Sequence, residues 1–206
     1  MTMILSSLEV IRPLARTGGV FSYGAERGLA QWIESFTDSD QSHVSLAIVQ
    51  GPLLMVAEAI GAGTKVRPVN LNWENAADMW YLPLRQELLD PLALYKLLDF
   101  IRDVSEREVP YDFRALLPGQ WRNRRPPEDF SRLYCSELIS LGFLRAGLYE
   151  GTPELTPAEV CNLNLYEDNY YCIKWGRDGP KEIPGYNTVD PRGNLFSTMP
   201  PVGAPQ

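Results

Sequence analysis

Short apolar runs, separated by glycine and proline, recur along the chain and predict β-strands. Residues 44–49 are apolar and rich in β-branched side chains, and residues 53–59 form a second apolar run. Gly51 and Pro52 lie between them, where a tight turn would reverse the chain. The two runs therefore predict a β-hairpin. Further short strands are predicted at 66–69, 79–84 and 170–175.

Apolar residues recur at helical spacing in three other segments, at 22–36, 91–107 and 135–146. Proline at the start of the second helix suits its first turn, because a proline lacks the N–H that would have no partner there. Gly147 is well placed to end the third helix. A fourth, shorter helix is predicted at 155–160 from a capping threonine, a proline and an acidic residue.

Two segments lack a clear period. Residues 109–130 combine prolines with aromatic residues, and we interpret them as a long loop or lid. Beyond Gly176 the chain is rich in proline, glycine and polar residues, which offer little to bury. Because a chain of 206 residues supports one core of ordinary size, we expect a single domain at 1–176 and a loosely held tail at 177–206.

The charge balance and the apolar content argue against several classes of function. A net charge of −7 disfavours nucleic-acid binding, which needs a dense cationic face. No run approaches the roughly 20 apolar residues that a membrane span requires. The first residues do not resemble a secretion signal, so we expect a cytoplasmic or phage-particle location.

The three cysteines, at 135, 161 and 172, form no C-x-x-C pair, and an odd number leaves at least one unpaired. A reducing compartment therefore fits best. One histidine and scattered cysteines do not supply a recognisable zinc site. We predict neither a metal nor another cofactor.

His43 is the single histidine of the chain, so any imidazole chemistry depends on it. Cys135 lies where a helix is predicted to begin, and a helix N-terminus favours the thiolate. An adjacent imidazole could accept the thiol proton and later donate it to a leaving group, which gives acyl transfer through a thioester. Alternatively, His43 is a surface residue and Cys135 a small core residue.

Glu58 closes the second apolar run, beside the strand predicted to carry His43, which is unusual for a carboxylate. The turn at Gly51 and Pro52 lies at a comparable distance from both residues, so they could face each other across the hairpin. Glu58 would then accept the second imidazole N–H and orient the ring. A strand-capping role for Glu58 stays open, and Asp112 is the alternative orienting residue.

The joint pattern resembles a known family. Residues 42–44, the strand that ends at 58–59, and the segment 134–138 are similar to the permuted NlpC/P60 cysteine hydrolases of the YiiX/YebB-like group. The resemblance runs from about 20 to 160, and further matches lie at 109–113 and 155–157. It implies an α+β, circularly permuted papain-like fold, in which an antiparallel sheet packs against helices and the nucleophile lies at a helix N-terminus.

The same resemblance implies roles for individual residues. Cys135 would be the nucleophile, His43 the base and Glu58 its orienting partner, while Tyr111 and Tyr134 would line the substrate site. The chain departs from the family at residues 16–20, where a Gly-Asp pair is common and no aspartate is present.

The expected activity is that of a cysteine hydrolase that cleaves an amide bond through a thioester, with a peptidoglycan-type peptide as the favoured substrate. The resemblance also leaves open a lipid amide or ester hydrolase or acyltransferase, and an enzyme that acts on isopeptide or other protein conjugates. The remaining alternatives are a non-catalytic papain-like scaffold that binds a ligand and an interaction module that acts through the proline-rich C-terminal segment.

Overall fold

The computed structural model describes residues 7–24, 41–73, 76–116, 130–175, 183, 185–192 and 194–197. They form one mixed sheet with helices packed on it, which confirms the expected α+β class. Within these ranges, no helix combines the length and the apolar character that a membrane span needs.

The described residues contribute eight strands to the sheet, in the spatial order β4-β3-β2-β1-β5-β6-β7-β8. Neighbouring strands are antiparallel except β6 and β7, which run parallel. The expectation of an antiparallel sheet is wrong at this pair, because a longer connection joins these strands in place of a tight turn. The bounds are β1 Val20–Gly24, β2 His43–Gln50, β3 Leu53–Ile60, β4 Gly63–Pro68, β5 Asp78–Leu82, β6 Asn169–Lys174, β7 Asn187–Val189 and β8 Leu195–Ser197.

β2 and β3 form the hairpin that the sequence predicts. Gly51 lies in its turn with a φ of 57°, a left-handed conformation that glycine adopts without strain. Alternate residues of a strand point to opposite faces of the sheet. Leu46 and Ala57 accordingly pack into the larger of two hydrophobic cores, and Ala47 and Val56 pack into the smaller one.

Two of the predicted helices, α3 (Pro91–Glu106) and α4 (Cys135–Ala146), bury residues in the larger core. The side chain of Asp90 caps α3 by accepting the N–H of Ala93 at 2.8 Å. Gly147 ends α4 with a φ of 75°, as its position in the sequence indicates. The shorter helices are α1 (Ser7–Ile11), α2 (Asn70–Trp73) and α5 (Pro157–Cys161).

β1 occupies the position where the sequence predicts the start of a helix. Residues 22–24 belong to this strand, so that part of the prediction is wrong, and residues 25–36 lie outside the described ranges. β1 pairs with β2 on one edge and with β5 on the other, and all five of its residues are buried. Pairing on both edges stabilises the extended backbone. The spacing of apolar residues along the chain does not reveal this pairing.

Beyond residue 176, the described residues extend the sheet through β7 and β8, and the loosely held tail at 177–206 stays a prediction. Ile183 and Thr188 are buried. The hydroxyl of Tyr170 on β6 accepts the N–H of Ile183 at 2.5 Å and bonds the Thr188 hydroxyl at 2.6 Å. The sequence misses these strands because segments of three residues are too short to show a period. The domain division at 176 stays a prediction.

The predicted loop ahead of α4 is anchored at its start. Tyr111 and Leu133 form a parallel bridge, and the N–H of Leu133 donates to the carbonyl oxygen of Pro110 at 3.0 Å. Phe113–Leu116 makes one 3-10 turn, and residues 117–129 lie outside the described ranges. The bridge places Tyr111 beside the start of α4.

Candidate active site

The first turn of α4 holds the Cys135 sulfur against the sheet. Tyr134 precedes the helix in an extended conformation, and its N–H donates to the Glu137 carboxylate at 3.4 Å. Cys135 is only 3% exposed and packs in the larger core. The structure therefore places Cys135 at the helix N-terminus, as the sequence predicts.

The site lies in a fork, by which we mean the gap between the first residues of β2 and the last residues of β3. The ladder between these strands ends at Leu46 and Ala57, whereas β2 begins three residues earlier, at His43. β3 stays paired with β4 to its own end. Because β3 does not pair with this part of β2, the N–H of Val44 is available and donates to the Cys135 sulfur.

His43 contacts both of the other candidate residues. Its Nε2 lies 2.7 Å from Oε2 of Glu58, and its ring also interacts with the Cys135 thiol. Since Nε2 is engaged by Glu58, Nδ1 is the ring nitrogen left to accept the thiol proton. The His43 side chain is 24% exposed, whereas Glu58 is completely buried. The structure thus brings together the three residues that the sequence singles out.

The charges in the fork favour a thiolate and an imidazolium. Burial raises the pKa of Cys135, but attraction to His43 and the N–H donors of Val44 and Ser136 outweigh burial and lower that pKa. Burial lowers the pKa of His43, but attraction to Cys135 and to Glu58 raises it to about 10. An ion pair of this kind keeps the sulfur nucleophilic at neutral pH.

The two other cysteines have a different environment. Cys161 and Cys172 are also free thiols and fully buried, and burial raises the pKa of each to about 12. Cys135 is therefore the one thiol of the three with a lowered pKa.

Tyr111 lies at the sulfur. Its hydroxyl forms a hydrogen bond with Cys135, and burial, together with the charge of Cys135, raises the pKa of Tyr111 far above its ordinary value. The ring of Phe113 lies 4.9 Å from that of Tyr111, centroid to centroid, and Phe113 is 54% exposed. A neutral hydroxyl and an open aromatic surface thus border the nucleophile.

Tyr134 and Asp112 lie at two local turns of the backbone beside the site, and a substrate contact of Tyr134 stays a prediction. Tyr134 is 2% exposed, and its backbone begins α4. Asp112 accepts the N–H of Arg114 at 3.0 Å and so caps the short 3-10 turn. The carboxylate in contact with His43 is that of Glu58.

Sequence reasoning missed the groups that surround Glu58. Arg67 on β4 donates from Nε to Oε1, and Asn72 on α2 donates to Oε2 at 2.9 Å. Burial raises the pKa of Glu58, but His43 and Arg67 outweigh burial and lower it to about 2. One signal in the sequence could have identified the cation beside Glu58. A buried carboxylate requires a cation, and the next strand carries Lys65 and Arg67.

A solved structure with a similar fold is that of the metalloprotein YiiX from Escherichia coli O157:H7, DUF1105. The TM-score is 0.51 at 21% sequence identity, and the match covers 64% of this chain and 66% of that chain. At this identity the likeness concerns the fold alone, and it confirms the expectation of a YiiX-like fold. No protein-family model and no curated protein sequence matches the chain.

The described residues do not fit a metal centre. They contain no group of three or more histidine, cysteine or acidic residues that could hold an ion. Within the fork, both oxygens of Glu58 already accept hydrogen bonds from His43, Arg67 and Asn72. No step of the chemistry below is therefore assigned to a metal.

Proposed function

We propose that this protein is a cysteine hydrolase that cleaves an amide bond through a thioester intermediate. The observation that carries the proposal is the contact of one imidazole with two partners, Oε2 of Glu58 at 2.7 Å and the Cys135 thiol. A thiol, a base and a group that orients the base are the parts that this chemistry needs. The arrangement supports a permuted papain-like site, with the histidine ahead of the cysteine in the chain.

In the first half of the reaction, the Cys135 thiolate attacks the substrate carbonyl carbon and forms a C–S bond. The N–H of Cys135 at the helix start and the Tyr111 hydroxyl stabilise the negative oxygen that results. The C–N bond breaks, and the His43 imidazolium donates its proton to the leaving amine.

In the second half, His43 accepts a proton from water, and the hydroxide formed attacks the thioester carbonyl. The C–S bond breaks and the carboxylic acid leaves. The proton that His43 took from water stays on the imidazole, so the thiolate–imidazolium pair is restored. Glu58 holds the imidazole throughout by accepting its Nε2–H.

A peptide of the peptidoglycan type is our first candidate substrate, as the sequence pattern suggests. A lipid amide or ester is the second, and the aromatic pair beside the nucleophile favours it. Gly61 has no side chain, so the space beside Phe113 is not filled from that position. A Cβ at Gly61 would lie 3.5 Å from the Phe113 ring. An exposed aromatic ring beside Tyr111 suits an apolar acyl group.

The first experiment is alkylation with iodoacetamide from pH 4 to 10, with each thiol quantified by mass spectrometry. We expect Cys135 to react well below pH 7 in the wild type and to lose this reactivity in His43→Ala. Cys161 and Cys172 are internal controls, because burial raises the pKa of both. An ordinary thiol titration of Cys135 near pH 8.5 in both proteins would contradict the proposal and leave a ligand-binding scaffold.

If the ion pair is present, a panel of peptide amides, N-acyl amides and acyl esters decides between the two substrate classes. Cys135→Ala is the blank for the panel. Turnover of N-acyl amides and esters with no turnover of peptides would favour the lipid substrate, and the reverse result would favour the peptide.

A further inference from the structure

Glu58 is completely buried and is shared among three donors. Its Oε1 accepts from Nε of Arg67, and its Oε2 accepts from His43 at 2.7 Å and from Asn72 at 2.9 Å. Moving a carboxylate out of water costs several kcal/mol unless charges and hydrogen bonds compensate. Arg67 supplies the compensating charge that does not change during proton transfer, whereas His43 gains and loses its proton.

Arg67 and Asn72 also hold each other in place. The second guanidinium arm of Arg67 donates from Nη2 to Oδ1 of Asn72 at 2.5 Å. The amide of Asn72 donates to the Tyr23 hydroxyl at 3.2 Å, and that hydroxyl bonds the hydroxyl of Ser45 at 2.7 Å. β4, α2, β1 and β2 thus each contribute a member to one network around the carboxylate.

We propose that Arg67 and Asn72 are positioning residues, which keep Glu58 ionised and turn a single oxygen, Oε2, toward His43. The inference rests on the proposed function, since it concerns the same site. Arg67 holds Oε1, so the carboxylate cannot rotate to offer that oxygen to the imidazole. Asn72 donates to the second oxygen, Oε2, and its own amide is held by Arg67.

Other charged groups near Glu58 are already engaged. Lys65, which pairs with Glu58 in the strand register, bonds Glu108 instead. Glu137 on α4 accepts the N–H of Tyr134. Burial raises the pKa of Tyr23 well above its ordinary value, so its hydroxyl stays neutral. Arg67 is therefore the fixed positive charge on this carboxylate.

The test is the pH profile of Cys135 alkylation in Arg67→Gln, Arg67→Lys and Asn72→Ala, beside the wild type. Without Arg67, Glu58 takes up a proton at a higher pH, and a protonated Glu58 no longer stabilises the imidazolium. We expect the acid limb of the profile to move upward by about one pH unit or more in Arg67→Gln, because one adjacent opposite charge shifts a carboxyl pKa by about 1–3 units. Arg67→Lys should restore most of the wild-type profile.

Arg107→Gln is the matched control, because this exposed arginine pairs with Asp103 on α3, and its profile should equal that of the wild type. If Arg67→Gln does not fold, Asn72→Ala tests the inference in its place. We expect the acid limb of its profile to move in the same direction by a smaller amount. A wild-type acid limb in the folded Arg67 or Asn72 variant would overturn the inference and leave the proposed function intact. An ordinary Cys135 titration in the wild type would overturn both.

Discussion

His43 Nε2 and Glu58 Oε2 lie 2.7 Å apart, although the two residues do not face each other across the hairpin. If the pairing of β2 with β3 continued beyond Leu46 and Ala57, Glu58 would lie opposite Ser45. The contact is therefore diagonal, within the reach of long side chains on one face of a sheet. The contact joins two residues that the sequence singled out, but the direct pairing that it suggested is wrong by two residues.

Replacing Glu58 by glutamine should lower turnover without abolishing it. The amide has the same size, but its NH2 group donates and would face N–H donors, either that of Arg67 or those of His43 and Asn72. It also lacks the charge that stabilises the His43 imidazolium. We expect the factor by which kcat falls in Glu58→Gln to be about ten to a hundred times smaller than the factor in Cys135→Ala. The nucleophile and the base act as one unit, whereas Glu58 only orients the base. Steady-state kinetics on the substrate that the panel identifies measures this. Unchanged kcat in Glu58→Gln would mean that another group orients His43.

Tyr111→Phe tests whether the hydroxyl beside Cys135 stabilises the oxyanion. Phenylalanine keeps the ring next to Phe113 and removes only the donor. We expect kcat to fall by about 10²-fold, the usual loss for one oxyanion donor, with little change in KM. Phe113→Leu is the matched control, and its effect should fall on KM for apolar substrates. A wild-type kcat in Tyr111→Phe would reduce Tyr111 to a packing residue.

Acid should destabilise the protein through Glu58. Its pKa is lowered from 4.5 to about 2 in the folded state, so the folded protein binds this proton less readily than the unfolded chain. The contribution is present above pH 4.5 and is lost as pH falls toward 2. A shift of this size corresponds to about 3 kcal/mol for a fully buried group.

Urea unfolding at pH 5, 4, 3 and 2 measures that contribution. Wild type should lose stability over this window, and Glu58→Gln should start lower and lose less, because the amide does not titrate. Parallel losses in the two proteins would show that other carboxyl groups cause the acid sensitivity.

Gly63→Ala should destabilise the protein more than Gly51→Ala. Both glycines have positive φ, 94° at Gly63 and 57° at Gly51. A Cβ at Gly63 would lie 3.0 Å and 3.1 Å from the carbonyl oxygens of Glu108 and Val109, whereas one at Gly51 meets nothing within 4 Å. We expect a cost of about 1 kcal/mol at Gly51, from the left-handed backbone alone, and about 2–4 kcal/mol at Gly63. Urea midpoints measure both, and equal costs would contradict the close backbone approach.

The sequence predicts those parts of the fold that depend on local signals. The turn at Gly51, the end of α4 at Gly147 and the helix that begins with Cys135 each follow from residue types within a few positions. Glu58 stands out because a carboxylate in an apolar strand is costly without a partner. Such signals can be interpreted without knowledge of the tertiary structure.

Features set by distant parts of the chain could not be predicted. β1 is a strand because β2 and β5 pair with both of its edges. Arg67 is cationic like Lys65, and the sheet register pairs Glu58 with Lys65. Only the side-chain contacts show that Arg67 reaches Glu58, whereas Lys65 bonds Glu108. The fork depends on where one ladder ends, and no pattern in either strand marks that position.

The strand order also determines when each part of the sheet can assemble during synthesis. β2, β3 and β4 add in succession to one side of β1, and β5 to β8 add in succession to the other. Every strand after the first therefore finds its neighbour already made, and none has to wait for a later segment or insert between two earlier ones. The ribosome releases α4 after β5 and before β6, so the cysteine meets a histidine whose strand already has neighbours on both sides. The last three strands then widen a sheet that already carries His43, with Cys135 available on α4 to contact it.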